Sequence, residues 1–283
     1  MNLIAGCIVV TVSVLGGYVL SHGHIAALWQ PYELIIIGGA AIGAFVIGNP
    51  PKILAAAAKG VPGLLKPSPY NKAMHMDALA LLYKLFQKIR KDGLVAIEND
   101  IEDPQSSPLF SQFEKVQKDH DTIDFIVDNL RLMLTGSLDS LQLDNLMTLE
   151  LETHHEEAEQ PAHAINKIAD SLPGFGIVAA VLGIVITMAS LGGDTDEIGQ
   201  HVAAALVGTF LGVLLAYGFV APVSSALEGR ANEQSKFLGC VKTAILATVQ
   251  GYSPQIAVEF GRKVIAHSSR PTFEELEEHV KGA

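Results

Sequence analysis

The sequence is poor in charged, cysteine and aromatic residues. Only 17% of its 283 residues are Asp, Glu, Lys or Arg, two are cysteine and one is tryptophan, whereas 49% are hydrophobic. So few charges exclude an ordinary soluble domain of this size, and the mean hydropathy of +0.34 indicates an integral membrane protein. Its two cysteines, Cys7 and Cys240, exclude a disulfide framework.

The hydrophobic residues are concentrated in four runs. Each is near the length of about 20 residues that crosses about 30 Å of hydrocarbon. The runs are 3–20, 34–48, 172–191 and 202–227, and the second needs residues 31–33 to reach full length. The first run is interpreted as an uncleaved first span and not as a secretory signal, because it lacks the basic residues that open a signal and its exit, SHGHIAALWQ, shows no convincing cleavage motif. The sequence therefore predicts four transmembrane helices.

Lysine and arginine are absent from both short connectors between these runs, SHGHIAALWQ and GGDTDEIGQ. Twelve lie within 52–167 and seven within 230–281, so the positive-inside rule places both basic blocks in the cytoplasm. This predicts spans one and two in 1–50, a cytoplasmic helical domain in 51–168, spans three and four in 169–228 and a helical cytoplasmic tail in 229–283. Both termini are then cytoplasmic. The net charge of -11 argues against nucleic-acid binding.

The polar parts show helical periodicity and no β-rich run, so the predicted fold class is all-α. Five prolines between residues 50 and 69 exclude one long helix in the linker. Amphipathic helices are predicted at 76–91, 94–103, 123–134, 143–158 and 230–250. Gly93 ends the first of these, Pro104 the second and Pro254 the last. Thr272 and Glu275 form a capping box before a final helix.

Small residues recur on one side of the last two spans. Span four carries Ala204, Gly208, Gly212 and Ala216 at intervals of four, and span three carries Gly176, Ala179 or Ala180, Gly183 and Thr187. This spacing lets helix backbones approach closely. It predicts either ordinary tight packing or a surface for a partner helix.

Pro173 and Pro222 lie near the cytoplasmic ends of spans three and four. Each removes a backbone donor and allows a bend. Taken singly, each proline predicts a static kink. Taken together, at matching depth in adjacent helices, the two predict a hinge that couples the membrane to the cytoplasmic domain.

The spans contain almost no ionisable side chains. Only Glu33 and Asp170 occur, both at span ends. A proton path needs an ionisable relay at membrane depth, so a partner helix must supply the acid. Glu33, beside Tyr32 at the outer interface, could gather cations, but we expect a solvated carboxylate at a helix start.

The stretch THHEEAEQPAH contains three histidines, His154, His155 and His163. Adjacent residues point about 100° apart on a helix, so no shared metal site is expected and the stretch is interpreted as a solvated acidic face. The sequence has no phosphate loop, nucleophile elbow or dinucleotide fingerprint, and we therefore expect neither an enzyme nor a cofactor.

Charged residues surround the predicted turn at Gly93. This patch is a solvated face, or it makes weak, steered contacts with a protein partner. Its members are Lys84, Lys88, Arg90, Lys91, Glu98, Asp100, Glu102 and Asp103.

Four stretches together resemble the MotA family of flagellar stator subunits: LPGFGIVAAVLGIVITM, HVAAALVGTFLGVLLAYGFVAPV, ETHHEE and GYSPQIAVEFGRKVIAHSSRPTFEELEEHV. The resemblance spans essentially the full chain. It implies a bacterial inner-membrane protein that forms a pentamer around a pair of MotB helices. MotB would supply the proton-accepting aspartate and a peptidoglycan anchor, and ion flow would move the ring against the rotor protein FliG.

The resemblance also implies roles for individual residues. Arg90 and Glu98 match the charged pair that faces the rotor, and Pro173 and Pro222 match prolines implicated in coupling. The sequence GFG after Pro173 departs from a more usual alanine-containing version, which should affect local bending.

Ala180 and Thr209 match positions near the ion path. Sodium-type relatives tend to have threonine where Ala180 stands, so the resemblance implies H+ as the transported ion. Two alternatives stay open. One is an energiser of the ExbB or TolQ type, although its usual three-span topology fits four runs poorly, and the other is a passive membrane scaffold.

Overall fold

The computed structural model describes residues 2–189 and 195–282. The described residues are helical throughout their regular structure and contain no strand, as predicted. They form two compact units. The first, called the span unit, comprises Met1–Pro67 and Ala158–Gly229, and the second, called the globular unit, comprises Ser68–Glu157 and Arg230–Ala283.

The span unit contains the helices that are long and apolar enough to cross a membrane, four in the described part of the chain. Leu191 and the connector residues 192–194, predicted to end span three and lead to span four, lie outside the described residues. The elements are α1 (Asn2–Leu20), α2 (Ile25–Leu28), α3 (Pro31–Gly48), α4 (Pro51–Gly63), part of α9 (Ser140–Ala189), α10 (Thr195–Leu215), a π-helical turn (Ala216–Val220) and the start of α11 (Ala221–Val249).

Two predicted helix boundaries are wrong. The predicted helix 143–158 does not end before span three, because α9 continues through Pro161 and Pro173. The predicted tail helix 230–250 is likewise continuous with α11, which begins at Ala221. A proline removes one hydrogen bond of a helix, whereas residues 149–169 are rich in strong helix formers, and in so long a helix one missing bond does not end it.

The globular unit contains the remaining elements. They are α5 (Lys72–Asp92), a 3-10 turn (Leu94–Ile97), α6 (Glu98–Glu102), a second 3-10 turn (Phe110–Phe113), α7 (Glu114–Gln117), α8 (His120–Thr135), the start of α9, most of α11, α12 (Pro254–Val264) and α13 (Phe273–Gly282). Its core includes the fully buried Phe86, Phe110 and Phe237. Cys240, which follows a polar stretch, is also buried there. Neither Cys240 nor Cys7 forms a disulfide.

Several helix ends of the globular unit follow the predicted chemistry. Gly93 has a positive φ of 85° and its N–H donates to Ile89, which ends α5. The Thr272 N–H donates to Glu275 Oε2 (2.6 Å) and the Glu275 N–H donates to Thr272 Oγ1 (3.2 Å). This reciprocal pair confirms the predicted capping box.

Candidate functional site

Helices α9 and α10 approach each other through the small residues of spans three and four. A Cβ atom on Gly212 would lie 2.7 Å from the Leu172 carbonyl oxygen and 2.9 Å from the Gly176 Cα. A Cβ on Gly176 would lie 2.9 Å from the Gly208 carbonyl oxygen. These obstructing atoms belong to the backbone, so no side-chain rotation relieves the contact. The predicted close approach of the two backbones is confirmed.

The same contact continues along both helices toward the ends where α9 stops and α10 begins, called here the connector end. A Cβ on Gly183 would lie 2.9 Å from the Ala205 Cβ. The Thr187 hydroxyl donates to the Gly183 carbonyl (2.8 Å), so it is already satisfied within its own helix. The contacts of Leu172 with Gly212 and of Gly183 with Ala205 define an antiparallel register.

The Glu33 carboxylate lies in the space beside Gly208, where the glycine has no side chain. It lies in the first turn of α3, as predicted, but it is only 7% exposed, so the expected solvated carboxylate is wrong. Its Oε2 atom would lie 3.0 Å from a Cβ on Gly208, and this oxygen has no hydrogen-bond partner among the described residues. The reason is steric, because glycine at 208 lets the carboxylate lie against the backbone of α10.

A cavity of ≈ 550 Å³ opens beside Glu33. His201, within α10, also lines it, and the His201 Nδ1 atom is a second buried polar atom without a partner in the described chain. The sequence indicated neither the cavity nor the buried His201 nitrogen. The spacing of small residues predicted close packing, but it gave no sign that one of the glycines would accept a carboxylate from another span.

Ala180 and Thr209 lie at the same level as this carboxylate. The Ala180 backbone nitrogen would lie 3.5 Å from a Cβ on Gly208, and the Thr209 Cα would lie 3.4 Å from a Cβ on Gly176. Both side chains are partly exposed. The structure therefore brings these two positions and Glu33 together in one layer of the span unit, while their role in an ion path stays a prediction.

The two prolines do not lie at matching depth, which corrects the expectation. Pro173 follows the residue that packs on Gly212, whereas Pro222 lies beside Ser224, whose hydroxyl donates to the Ala162 carbonyl (2.7 Å). Pro222 follows Gly212 by ten residues, or about 15 Å of helix. Since the chain directions are opposite, spans three and four carry their prolines at different levels.

Pro222 lies next to a widened helical turn. The π turn Ala216–Val220 comes directly before α11, and the Ala221 N–H donates to the Ala216 carbonyl five residues earlier. Proline at 222 has no N–H to donate to the Gly218 carbonyl, so the regular ladder is interrupted at this place. Insertions of this kind are established causes of helix kinks.

Arg90 and Glu98 are both exposed on the globular unit. In the two helices that carry them, Lys88 Nζ pairs with Asp100 Oδ2 (2.7 Å), and the Ser107 hydroxyl donates to Asp100 Oδ1 (2.7 Å). Asp100 is therefore buried rather than part of a solvated charged face. This pair connects α5 with α6, the two helices that carry Arg90 and Glu98.

The histidine stretch is only partly a solvated face. His154 Nε2 lies 3.6 Å from Asp121 Oδ2, and Gln234 donates to the same oxygen (2.6 Å). The interaction with the Asp121 carboxylate raises the pKa of His154, and the interaction with His154 lowers the pKa of Asp121. The described residues contain no group of three side chains that could hold a metal ion.

Two family models match the chain. The model described as "Motility protein A N-terminal" matches residues 4–93, and the one described as "MotA/TolQ/ExbB proton channel family" matches residues 118–239. Together they cover segments from both units.

The chain is similar to curated relatives along almost its whole length. It is 48% identical to Motility protein A of Salmonella typhimurium and 47% identical to that of Escherichia coli, in each case over 99% of this chain and 95% of the relative. The solved structure titled "Structure of C. jejuni MotAB" has a similar fold, with a TM-score of 0.76, 19% identity, and coverage of 96% of this chain and 98% of that one.

Proposed function

Because the chain belongs to the motility protein A family, we propose that it is a MotA-type stator subunit of the bacterial flagellar motor. With a MotB partner it conducts ions across the inner membrane and converts their flow into torque on the rotor. The observation that carries this proposal is the similarity to motility proteins along nearly the full length of the chain. The N-terminal match favours this function over an ExbB or TolQ energiser.

The proposed partner follows from what the spans contain. Among the described residues of the span unit, Glu33 is the buried carboxylate, and it lies toward the connector end. An aspartate on a MotB helix is proposed to supply the acceptor deeper in the membrane. The subunits are proposed to form a pentamer around the MotB pair, and the exposed apolar side chains of α9 and α10, such as Val181, Ile184 and Leu206, remain available to contact such helices.

The proposed orientation places both termini in the cytoplasm and the connector end outside. Its support is the distribution of lysine and arginine, which the connectors lack. A cysteine placed at the exposed His24 should accordingly react with a membrane-impermeant thiol reagent from outside intact cells.

The proposed transported ion is H+. A sodium ion needs several oxygen ligands in exchange for its hydration shell. Near the proposed path Ala180 offers only a methyl group, which leaves the Thr187 and Thr209 hydroxyls and the Glu33 carboxylate as the side-chain oxygens of this chain. Swimming speed should survive replacement of external sodium by potassium at constant pH, and it should collapse with a protonophore. Speed that scales with sodium would contradict the proposed ion.

Torque is proposed to arise from a hinge and a charged surface. Pro173, together with Pro222 and its π turn, is the proposed hinge, and Arg90 and Glu98 are the proposed contacts with FliG. One charge crossing 100 mV releases about 2.3 kcal/mol, which is enough to bias a soft helical joint but not to break a packed core.

Arg90→Glu tests the rotor contact. Torque should be lost while membrane accumulation stays normal, because exposed substitutions usually change stability by less than about 0.5 kcal/mol. Lys115→Glu, another exposed charge reversal in the globular unit, is the control. A complementary reversal on FliG should restore part of the torque. If Arg90→Glu fails to accumulate, Arg90 is structural.

Co-expression with MotB tests the function itself. Vesicles that contain both chains should conduct protons, vesicles with this chain alone should not, and the chain should restore motility to a strain that lacks its own MotA. A passive scaffold would give no flux in either preparation.

A further inference from the structure

We propose that Glu33 and His201 form a proton-binding vestibule at the connector end of the span unit, through which protons enter before they reach the partner's acid. This proposal rests on the proposed stator function and adds a site on this chain to it. The ligand is a proton carried by cavity water.

The first support is the environment of the Glu33 carboxylate. The residue is more than nine-tenths buried, and its Oε2 atom has no hydrogen-bond partner in the described chain. A buried carboxylate that served only to stabilise the fold would be expected to have its oxygens paired, since an unpaired buried charge is costly. An ionisable group at such a place in a membrane protein is expected to have a function.

The second support is the cavity that Glu33 lines. Its volume of ≈ 550 Å³ is enough for a chain of water molecules, each of which occupies about 30 Å³. Among the described residues, the titratable side chains that line it are Tyr32, Glu33 and His201, and Gln30 and Gln200 add amides. Among the described residues that line the cavity none is a lysine or arginine, so no permanently charged side chain among them neutralises the carboxylate.

The third support is the order of the two groups along α10. Gly208, on which the Glu33 carboxylate packs, follows His201 by seven residues, or about 10 Å. His201 therefore lies nearer the connector end and Glu33 lies deeper, next to the layer of Ala180 and Thr209. A hydronium ion in the cavity water transfers a proton to the Glu33 carboxylate and leaves as water, and transfer of that proton to the partner's acid restores the carboxylate.

Proton flux into vesicles that contain the chain with MotB tests the site. Glu33→Gln keeps the shape but not the exchangeable proton, and we expect roughly tenfold lower flux. This is less than the roughly 10²–10⁴-fold contribution of positioned proton-transfer groups in enzymes, because water can bypass one site. Glu33→Asp should recover part of the flux. His201→Gln should also lower it, whereas His24→Gln, in the exposed part of the connector, should not.

A second variant removes the space and not the carboxylate. Gly208→Ala puts a methyl group 3.0 Å from Oε2 and 3.2 Å from the Ala179 Cβ, so it displaces Glu33 and should reduce flux in the same way. Gly199→Ala, in the same helix with nothing within 4 Å, is the matched control.

The outcomes separate this site from the proposed function. Absence of flux from the wild-type pair would contradict the stator function. Normal wild-type flux with equal flux from Glu33→Gln would overturn the vestibule and leave the stator function intact. In parallel, the wild-type complex is treated with dicyclohexylcarbodiimide, which modifies protonated carboxyl groups in apolar sites. Mass spectrometry should find the adduct on Glu33, and its absence at both acidic and neutral pH would overturn the proposal even if the variants fail to fold.

Discussion

The contact between Gly183 and Ala205 allows a test of how spans three and four are held together. In Gly183→Ala the new Cβ would lie 2.9 Å from the Ala205 Cβ, whereas ordinary contacts begin at 3.4 Å, so the helices must separate by about 0.5 Å. Overpacking of this kind costs about 1–3 kcal/mol. Alanine regains about 1 kcal/mol of helix propensity. The net loss should be about 0–2 kcal/mol, or up to roughly 30-fold in the folded-to-unfolded ratio.

The exchange Gly183→Ala with Ala205→Gly should restore most of this loss. Removing the Ala205 methyl leaves the Ala205 Cα as the nearest atom, at 3.2 Å, so that a shift of only a few tenths of an ångström remains. The exchange also leaves the number of alanines unchanged, which cancels the difference in helix propensity.

Gly212→Ala should have no such rescue. Its new Cβ would meet the Leu172 carbonyl oxygen at 2.7 Å and the Gly176 Cα at 2.9 Å, and no substitution removes backbone atoms. It should therefore be less stable than Gly183→Ala and remain so in combination with any single change on α9.

Thermal denaturation of the detergent-solubilised complex, with Gly199→Ala as the unobstructed control, measures all three variants. The reasoning is refuted if Gly212→Ala is as stable as Gly199→Ala. It is also refuted if Ala205→Gly worsens Gly183→Ala instead of rescuing it.

Three further predictions concern the globular unit. Replacement of the capping residue in Thr272→Ala should cost about 1 kcal/mol and accelerate hydrogen exchange in α13. The pKa of His154 is raised on folding, so His154 stabilises the folded state fully at mildly acidic pH, and this stabilisation is lost as the pH rises through the raised pKa. The pKa of Asp121 is lowered on folding, so the stabilisation by Asp121 is lost only in stronger acid. Thermal denaturation of His154→Gln should lack this fall in stability on going from mildly acidic to alkaline pH. Burial raises the pKa of Cys240 to about 12, so a maleimide should leave this thiol unmodified at neutral pH unless the unit unfolds, as mass spectrometry would show.

The periodic and capping signals predicted most of the globular unit. The apolar spacing from Leu79 to Ile89 and the glycine at 93 gave α5 and its end, and Thr272 with Glu275 gave the last helix start. These signals are local, since each depends on residues within one or two turns.

The errors concern features that depend on distant residues. Pro161 and Pro173 are strong breakers in isolation, but their neighbours on both sides favour helix and α9 continues. Glu33 was expected to be solvated because its burial depends on contact with Gly208, which follows it by 175 positions in the sequence. The depth of the two prolines likewise depends on the register of α9 against α10, which no local pattern contains.

The register also restricts where the span unit can move. Around Gly176 and Gly212 the backbones of α9 and α10 are so close that sliding one past the other would bring carbonyl oxygens and Cα atoms into collision. Straining this contact would cost about 1–3 kcal/mol, which is comparable to the about 2.3 kcal/mol that one charge releases across 100 mV. The π turn Ala216–Val220 already lacks the regular hydrogen-bond ladder, and it lies beyond this tight zone. A small driving force should therefore bend α10 against α11 at Pro222 before it disturbs the glycine contact beside Pro173, so that of the two proposed hinge positions Pro222 should move first.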